Sequence, residues 1–174
     1  MPQLVQPLPD GPLDIVGDVH GEIEALRALL KRLGYAEDGS HPQQRQLVFA
    51  GDLTDRGPDS PAVIELVQRL VETGRAHCVL GNHDLNILLG YRKHDNHWFF
   101  GEPWALDGAD APTPAVLSDD RLRERVLAFL RSLPLALGHQ GLPVGPAFWG
   151  SRTVYPARRP SDVESSVSPR ACTI

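Results

Sequence analysis

Three short clusters hold the side chains able to do chemistry: Gly17-Asp18-Val19-His20-Gly21, Gly51-Asp52-Leu53-Thr54-Asp55-Arg56-Gly57 and Gly81-Asn82-His83-Asp84. Asp18, His20, Asp52 and Asn82 offer carboxylate, imidazole and amide donors. Mixed oxygen and nitrogen donors suit Mn²⁺, Fe or Zn²⁺ better than a dedicated Ca²⁺ cage. Asp52 has two carboxylate oxygens and can bridge two ions. Two ions ~3.5–4 Å apart can clamp the attacking and leaving oxygens of a phosphoryl group. Taken singly, a Gly-Asp pair is ordinary turn chemistry and His20 could cap a helix. Three such clusters, each with a ligand-type side chain, point to one site.

The clusters need elements to bring them together, and each follows a short apolar run. Residues 13–17, 47–50 and 76–80 read as buried strands. Between them, Ile23, Leu26, Leu29, Leu30 and Leu33 recur at helical spacing, with Gly34 placed to close the helix. Residues 61–73 predict a second helix, with Ser60 as N-cap and Pro61 in the first turn. Residues 85–89 open a short third one. Strand alternating with helix implies a parallel sheet with right-handed crossovers, whose functional residues lie just past the carboxyl ends of the strands. Asp18 and Asp52 are 34 positions apart, and Asp52 and Asn82 are 30 apart. One βα unit takes about 30 residues, so all three clusters should reach the same sheet edge.

The flanking segments are less specific. Residues 90–113 read as a long loop. Within it Arg92, Lys93, His94, His97, Trp98 and Phe99 fit either a recognition loop, stacking a nucleobase and meeting phosphates, or a solvated loop anchored by one tryptophan. Residues 118–132 predict a helix with Leu122, Val126, Phe129, Leu130 and Leu133 for core packing, and residues 135–137 a further strand. Residues 1–12 hold four prolines and read as a loose lead-in. Residues 150–174 carry four Arg against two acidic residues, with no apolar period, and read as a disordered or foreign tail. The expected division is therefore 1–12, 13–149 and 150–174.

Composition narrows the class. The 174 residues carry a net charge of −5, which argues against a nucleic-acid polymer or an anionic membrane as a partner held by bulk charge. No apolar run is long enough to span a bilayer, and no positive start precedes an apolar stretch as in a secretory signal. Cys78 and Cys172 form no disulfide framework, Cys78 reading as a buried thiol. The expectation is a cytoplasmic protein. No Gly-x-Gly-x-x-Gly or Gly-Lys-Ser/Thr follows a strand, which sets aside the common nucleotide-binding loops.

The three clusters resemble the motif set of the calcineurin-like metallophosphoesterases, which include protein Ser/Thr phosphatases and symmetrical diadenosine tetraphosphate hydrolases. Gly-Asp-x-His-Gly, Gly-Asp-x-x-Asp-Arg-Gly and Gly-Asn-His-Asp match without a gap. The resemblance is close over residues 13–89 and looser over 90–149. It implies an α/β/β/α sandwich and a two-metal hydrolase, with Mn²⁺ the leading cofactor and Fe or Zn²⁺ as alternatives. It further implies that Asp18 and His20 hold the first metal, that Asp52 bridges, and that Asn82 holds the second. His83 would protonate the leaving oxygen, Asp55 would orient His83, and Arg56 would grip phosphate. The nucleophile would be a metal-activated water. The implied substrate is a phosphoprotein or a dinucleoside polyphosphate.

The family adds two later histidines to the second metal. The first belongs near Pro146, which cannot ligate, and the second in a Gly-His-x-His that is absent. His139, His94 or His97 are the available substitutes. The expectation is thus an incomplete domain with a weakened second metal site. The alternative function is a remnant of little or no activity that binds metal or phosphate.

Overall fold

The computed structural model describes residues 3–93, 95–102, 116–139, 142–145 and 170–172. Two sheets form the centre. The first is parallel throughout and runs in the order β4(Ala76–Cys78), β3(Gln46–Phe49), β2(Leu13–Val16), β7(Arg170–Cys172). The second runs β1(Val5–Pro7), β5(Ala136–His139), β6(Leu142–Val144), with β1 and β5 parallel and β5 and β6 antiparallel. The helices are α1(Ile23–Leu33), α2(Ser60–Glu72), α3(Asn82–Leu88), α4(His97–Phe100) and α5(Asp120–Ser132).

Strand periodicity builds the layers. In β3, Leu47 and Phe49 face one core while Val48 faces another, because alternate side chains of a strand point to opposite sides. The larger core lies between the parallel sheet and the helices, where Leu26, Val63, Val67, Ile87, Val126 and Leu130 meet the strands. The smaller core lies between the sheets and joins Leu13 and Val48 to Leu137 and Val144. Helix, sheet and sheet are thus stacked in the order expected of a metallophosphoesterase-type sandwich. No helix among the described residues is long and apolar enough to cross a membrane.

Several elements differ from expectation, and α4 forms inside residues 90–113, which read as a loop. The proline-rich lead-in contains β1, which pairs Val5 with Ala136. The tail contains β7, which covers the outer edge of β2. Its pairing is a long-range event with no periodic signature in three residues. Helix α2 begins one residue early, and its N-cap is Asp59, whose carboxylate accepts from the Ala62 amide. Helix α3 starts at Asn82, so the third cluster forms its first turn. His139, named above as a substitute ligand, ends β5. His94 and Pro146 fall outside the described residues.

Candidate active site

Backbone contacts lock the three strand-end loops together. Val19 and His20 both donate their amides to the Asp52 carbonyl (3.0 Å each), Gly21 donates to Leu53 O (2.9 Å), and Gly57 donates to His20 O (2.8 Å). Such approaches leave no room for side chains. A Cβ at Gly81 would collide with the Asp52 amide nitrogen and carboxylate, and one at Gly57 would collide with the His20 carbonyl. Among the described residues six non-glycine residues have positive φ, and four of them are His20 (49°), Asp52 (51°), Asp55 (74°) and Arg56 (63°). Left-handed backbone at ordinary residues costs energy and gathers where function requires it.

His83 and Asp55, 28 positions apart, are paired. The imidazole Nδ1 donates to Asp55 Oδ2 at 2.9 Å, and both side chains are buried. The His83 amide donates to Asp52 Oδ1 (2.9 Å). Arg56 Nη2 lies 3.5 Å from His83 Nε2, on the outer side of the ring. Burial disfavours the protonated ring, but the hydrogen bond and charge of Asp55, helped by Asp52, outweigh burial and Arg56, and the His83 pKa is raised. Arg56 itself is exposed.

The four metal-type residues line the same edge. His20 Nδ1 donates to the Thr54 carbonyl (2.9 Å), which can only accept. In the neutral ring Nε2 therefore carries the lone pair, and it faces Asp18 Oδ2 at 3.6 Å. A lone pair set against a carboxylate is an arrangement that a cation satisfies, and a histidine ligand is commonly fixed through its other nitrogen in this way. The Asn82 amide turns onto Asp52: an amide nitrogen there donates to Oδ2 at 3.1 Å, and an amide oxygen accepts from the His83 amide at 3.2 Å. No three His, Cys, Asp or Glu side chains among the described residues are grouped as a ready ion cage. The donor chemistry of Asp18, His20, Asp52 and Asn82 nonetheless fits divalent cations.

Three supporting residues have roles that the sequence reading did not assign to them. Asp84 is wholly buried and accepts from the Gly81 amide (3.0 Å), the Leu53 amide (3.2 Å) and Thr54 Oγ1 (3.2 Å), pinning the second cluster to the third. Burial first, and then the charge of Asp52, push its pKa up to about 7. Ser60 does not cap α2; its hydroxyl accepts from the Asp55 amide at 2.9 Å. Trp98 is buried and donates its indole N–H to Asp55 Oδ1 at 2.9 Å. Trp98 and Phe99 therefore belong to the core rather than to a stacking surface, while Arg92 and Lys93 are exposed. The advance signal for Asp84 was its place beside His83; Ser60 read as a helix cap and Trp98 as a stacking or anchoring residue, and the buried indole bears out the anchor.

The asymmetrical bis(5'-nucleosyl)-tetraphosphatase PrpE of Oceanobacillus iheyensis is 53% identical over 74 residues, which cover 41% of this chain and 30% of that protein. Its namesake in Bacillus subtilis (strain 168) is 46% identical over 83 residues, covering 46% of this chain and 34% of that protein. The matched stretch thus spans about a third of the length of these curated relatives. In fold, the chain is similar to the cold-active protein-tyrosine phosphatase of a psychrophilic Shewanella (TM-score 0.50, 21% identity, 76% of this chain and 42% of that one). The model of the calcineurin-like phosphoesterases matches residues 11–160, and the chain belongs to that family.

Proposed function

We propose that this chain carries the catalytic core of a hydrolase acting on the phosphate bonds of a dinucleoside polyphosphate. The observation that carries the reading is the buried Asp55–His83 pair with Arg56 at the outer ring nitrogen. Pure binding needs no oriented proton donor. Asp18, His20 and Asp52 would hold one divalent cation, and Asp52 with Asn82 a second, more weakly held one, with Mn²⁺ the first choice. When bound, these supply the Lewis acidity that activates water and offsets phosphate charge.

The rest follows from the protein's own groups. Asp55 takes the Nδ1–H of His83 and leaves Nε2 as the working atom. The raised pKa favours the protonated ring near neutral pH, so Nε2–H can donate to the departing oxygen. Arg56, exposed beside the outer ring nitrogen of His83, can offer a planar fork to phosphate oxygens. Phosphate contacts do not distinguish a phosphoprotein from a dinucleotide. The tetraphosphatase names of the relatives favour the dinucleotide.

Turnover of diadenosine tetraphosphate and of a phosphoserine peptide, each with added Mn²⁺, tests the reading. Faster loss of the dinucleotide is expected. Faster loss of the peptide would reassign the substrate. Metal binding without turnover of either would leave a metal- and phosphate-binding chain.

A further inference from the structure

We propose that Trp98 is a positioning residue for the proton donor: its indole N–H holds the Asp55 carboxylate in the one orientation that fixes the His83 ring. The inference rests on the reading of His83 as the acid. Asp55 divides its two oxygens, Oδ2 to His83 Nδ1 and Oδ1 to Trp98 Nε1, both at 2.9 Å. An indole can only donate, so the direction of the second bond is fixed by chemistry. The carboxylate is wholly buried, and Trp98 is 1% exposed, so water does not compete for either oxygen. With Oδ1 released, the carboxylate could rotate about its own bond and carry the imidazole with it.

Trp98 is itself anchored. Its carbonyl accepts from the Ser118 amide (2.8 Å) and from Ser118 Oγ (3.0 Å), and its ring lies edge-on to Phe99 at 5.7 Å. A purely packing role would be met by any large apolar ring. This position instead presents a buried donor to the pair's own carboxylate, 43 positions away in the chain.

Trp98→Phe keeps most of the ring and deletes the donor. On an alkyl phosphate, whose leaving group needs a proton, the rate should fall about tenfold more than on p-nitrophenyl phosphate, the low end of what losing an orienting partner costs. In an Asp55→Asn background the same change should cost under about twofold, because a residue acting through Asp55 has nothing left to position. Exchange of the His83 Nδ1 proton, followed by NMR, should speed up at least about tenfold. Ser118→Ala, which keeps the indole, should move each readout the same way by less, and it serves if Trp98→Phe fails to fold. Equal losses on both substrates with unchanged proton exchange in a folded variant would overturn the role. If the unaltered chain turned over neither ester, the hydrolase reading would fall, and the exchange rate alone would decide for or against Trp98.

Discussion

The two ends of the parallel sheet both bury carboxylates, and they treat them in opposite ways. Toward the amino ends, Asp14 (1% exposed) is saturated: Arg45 donates Nε to Oδ2 (2.7 Å) and Nη2 to Oδ1 (2.6 Å), and the Tyr35 hydroxyl donates to Oδ2 (2.8 Å). The carboxylate brings its own counter-charge, and Tyr35, buried beside it, has its pKa raised first by burial and then by that hydrogen bond. At the carboxyl ends, Asp52, Asp55 and Asp84 are all buried, with Asp18 beside them. The fixed cation among the cluster residues is Arg56, which is exposed. Backbone amides, a hydroxyl and the Trp98 indole satisfy oxygens there without neutralising charge, and Asp55 is also met by His83, which can carry a proton. A structural carboxylate is thus paid for locally, whereas this cluster keeps a surplus of negative charge suited to an incoming cation.

Four measurements would break or sharpen that contrast. The largest effect is expected at His83: His83→Ala should lower kcat by ~10²–10⁴. The loss should be smaller on p-nitrophenyl phosphate than on an alkyl phosphate, and equal losses would remove it as the acid. Next comes Asp14→Asn, which leaves Arg45 without a buried counter-charge and should destabilise the fold by about 3–5 kcal/mol, read as a shift in the urea midpoint. Bound metal should be unchanged. Asp52→Asn should show the reverse pattern. Mn²⁺ affinity should fall by ~10²-fold, as for lost supporting ligands, while metal-free stability holds or rises, since an amide oxygen still accepts from the His83 amide and one repelling charge is gone. A large stability loss there would make Asp52 a structural carboxylate like Asp14.

The smallest effect is a pH dependence of the metal-free chain. Asp84 has a pKa of about 7 when folded, against the ordinary carboxylate value of 3.8. Between those values the folded state holds a proton that the unfolded chain releases, so this group favours folding as pH falls from above 7 toward 4. His77 pulls the other way, because burial lowers its pKa and the unfolded chain alone takes up a proton below pH 6.5. Saturating Mn²⁺ should flatten the Asp84 part of the slope by offsetting the charge of Asp52. Asp84→Asn should remove that part of the slope, and a variant whose metal-free stability keeps the parent's pH dependence between 5 and 8 would show that Asp84 does not carry this proton.

Much of the frame was legible in the sequence because it is local. Apolar spacing placed α1, α2 and α5 within a few residues, and Gly34 closes α1 in left-handed conformation (φ 96°), as a residue without a Cβ can. The βα spacing of the three clusters brought Asp18, His20, Asp52 and Asn82 to one edge, and proximity in the fold joined His83 to Asp55. The short strands β1 and β7 were not legible. Three residues carry no period, and each is a strand only because a partner from far along the chain, β5 or β2, accepts it. The same reason hid Ser60, Asp84 and Trp98. A serine before a helix reads as a cap and a tryptophan in a loop reads as an anchor, since residue type fixes only what a group can donate or accept. Tertiary structure alone decided which partner stood within 3 Å: for Ser60 the Asp55 amide, and for Trp98 the carboxylate that holds His83.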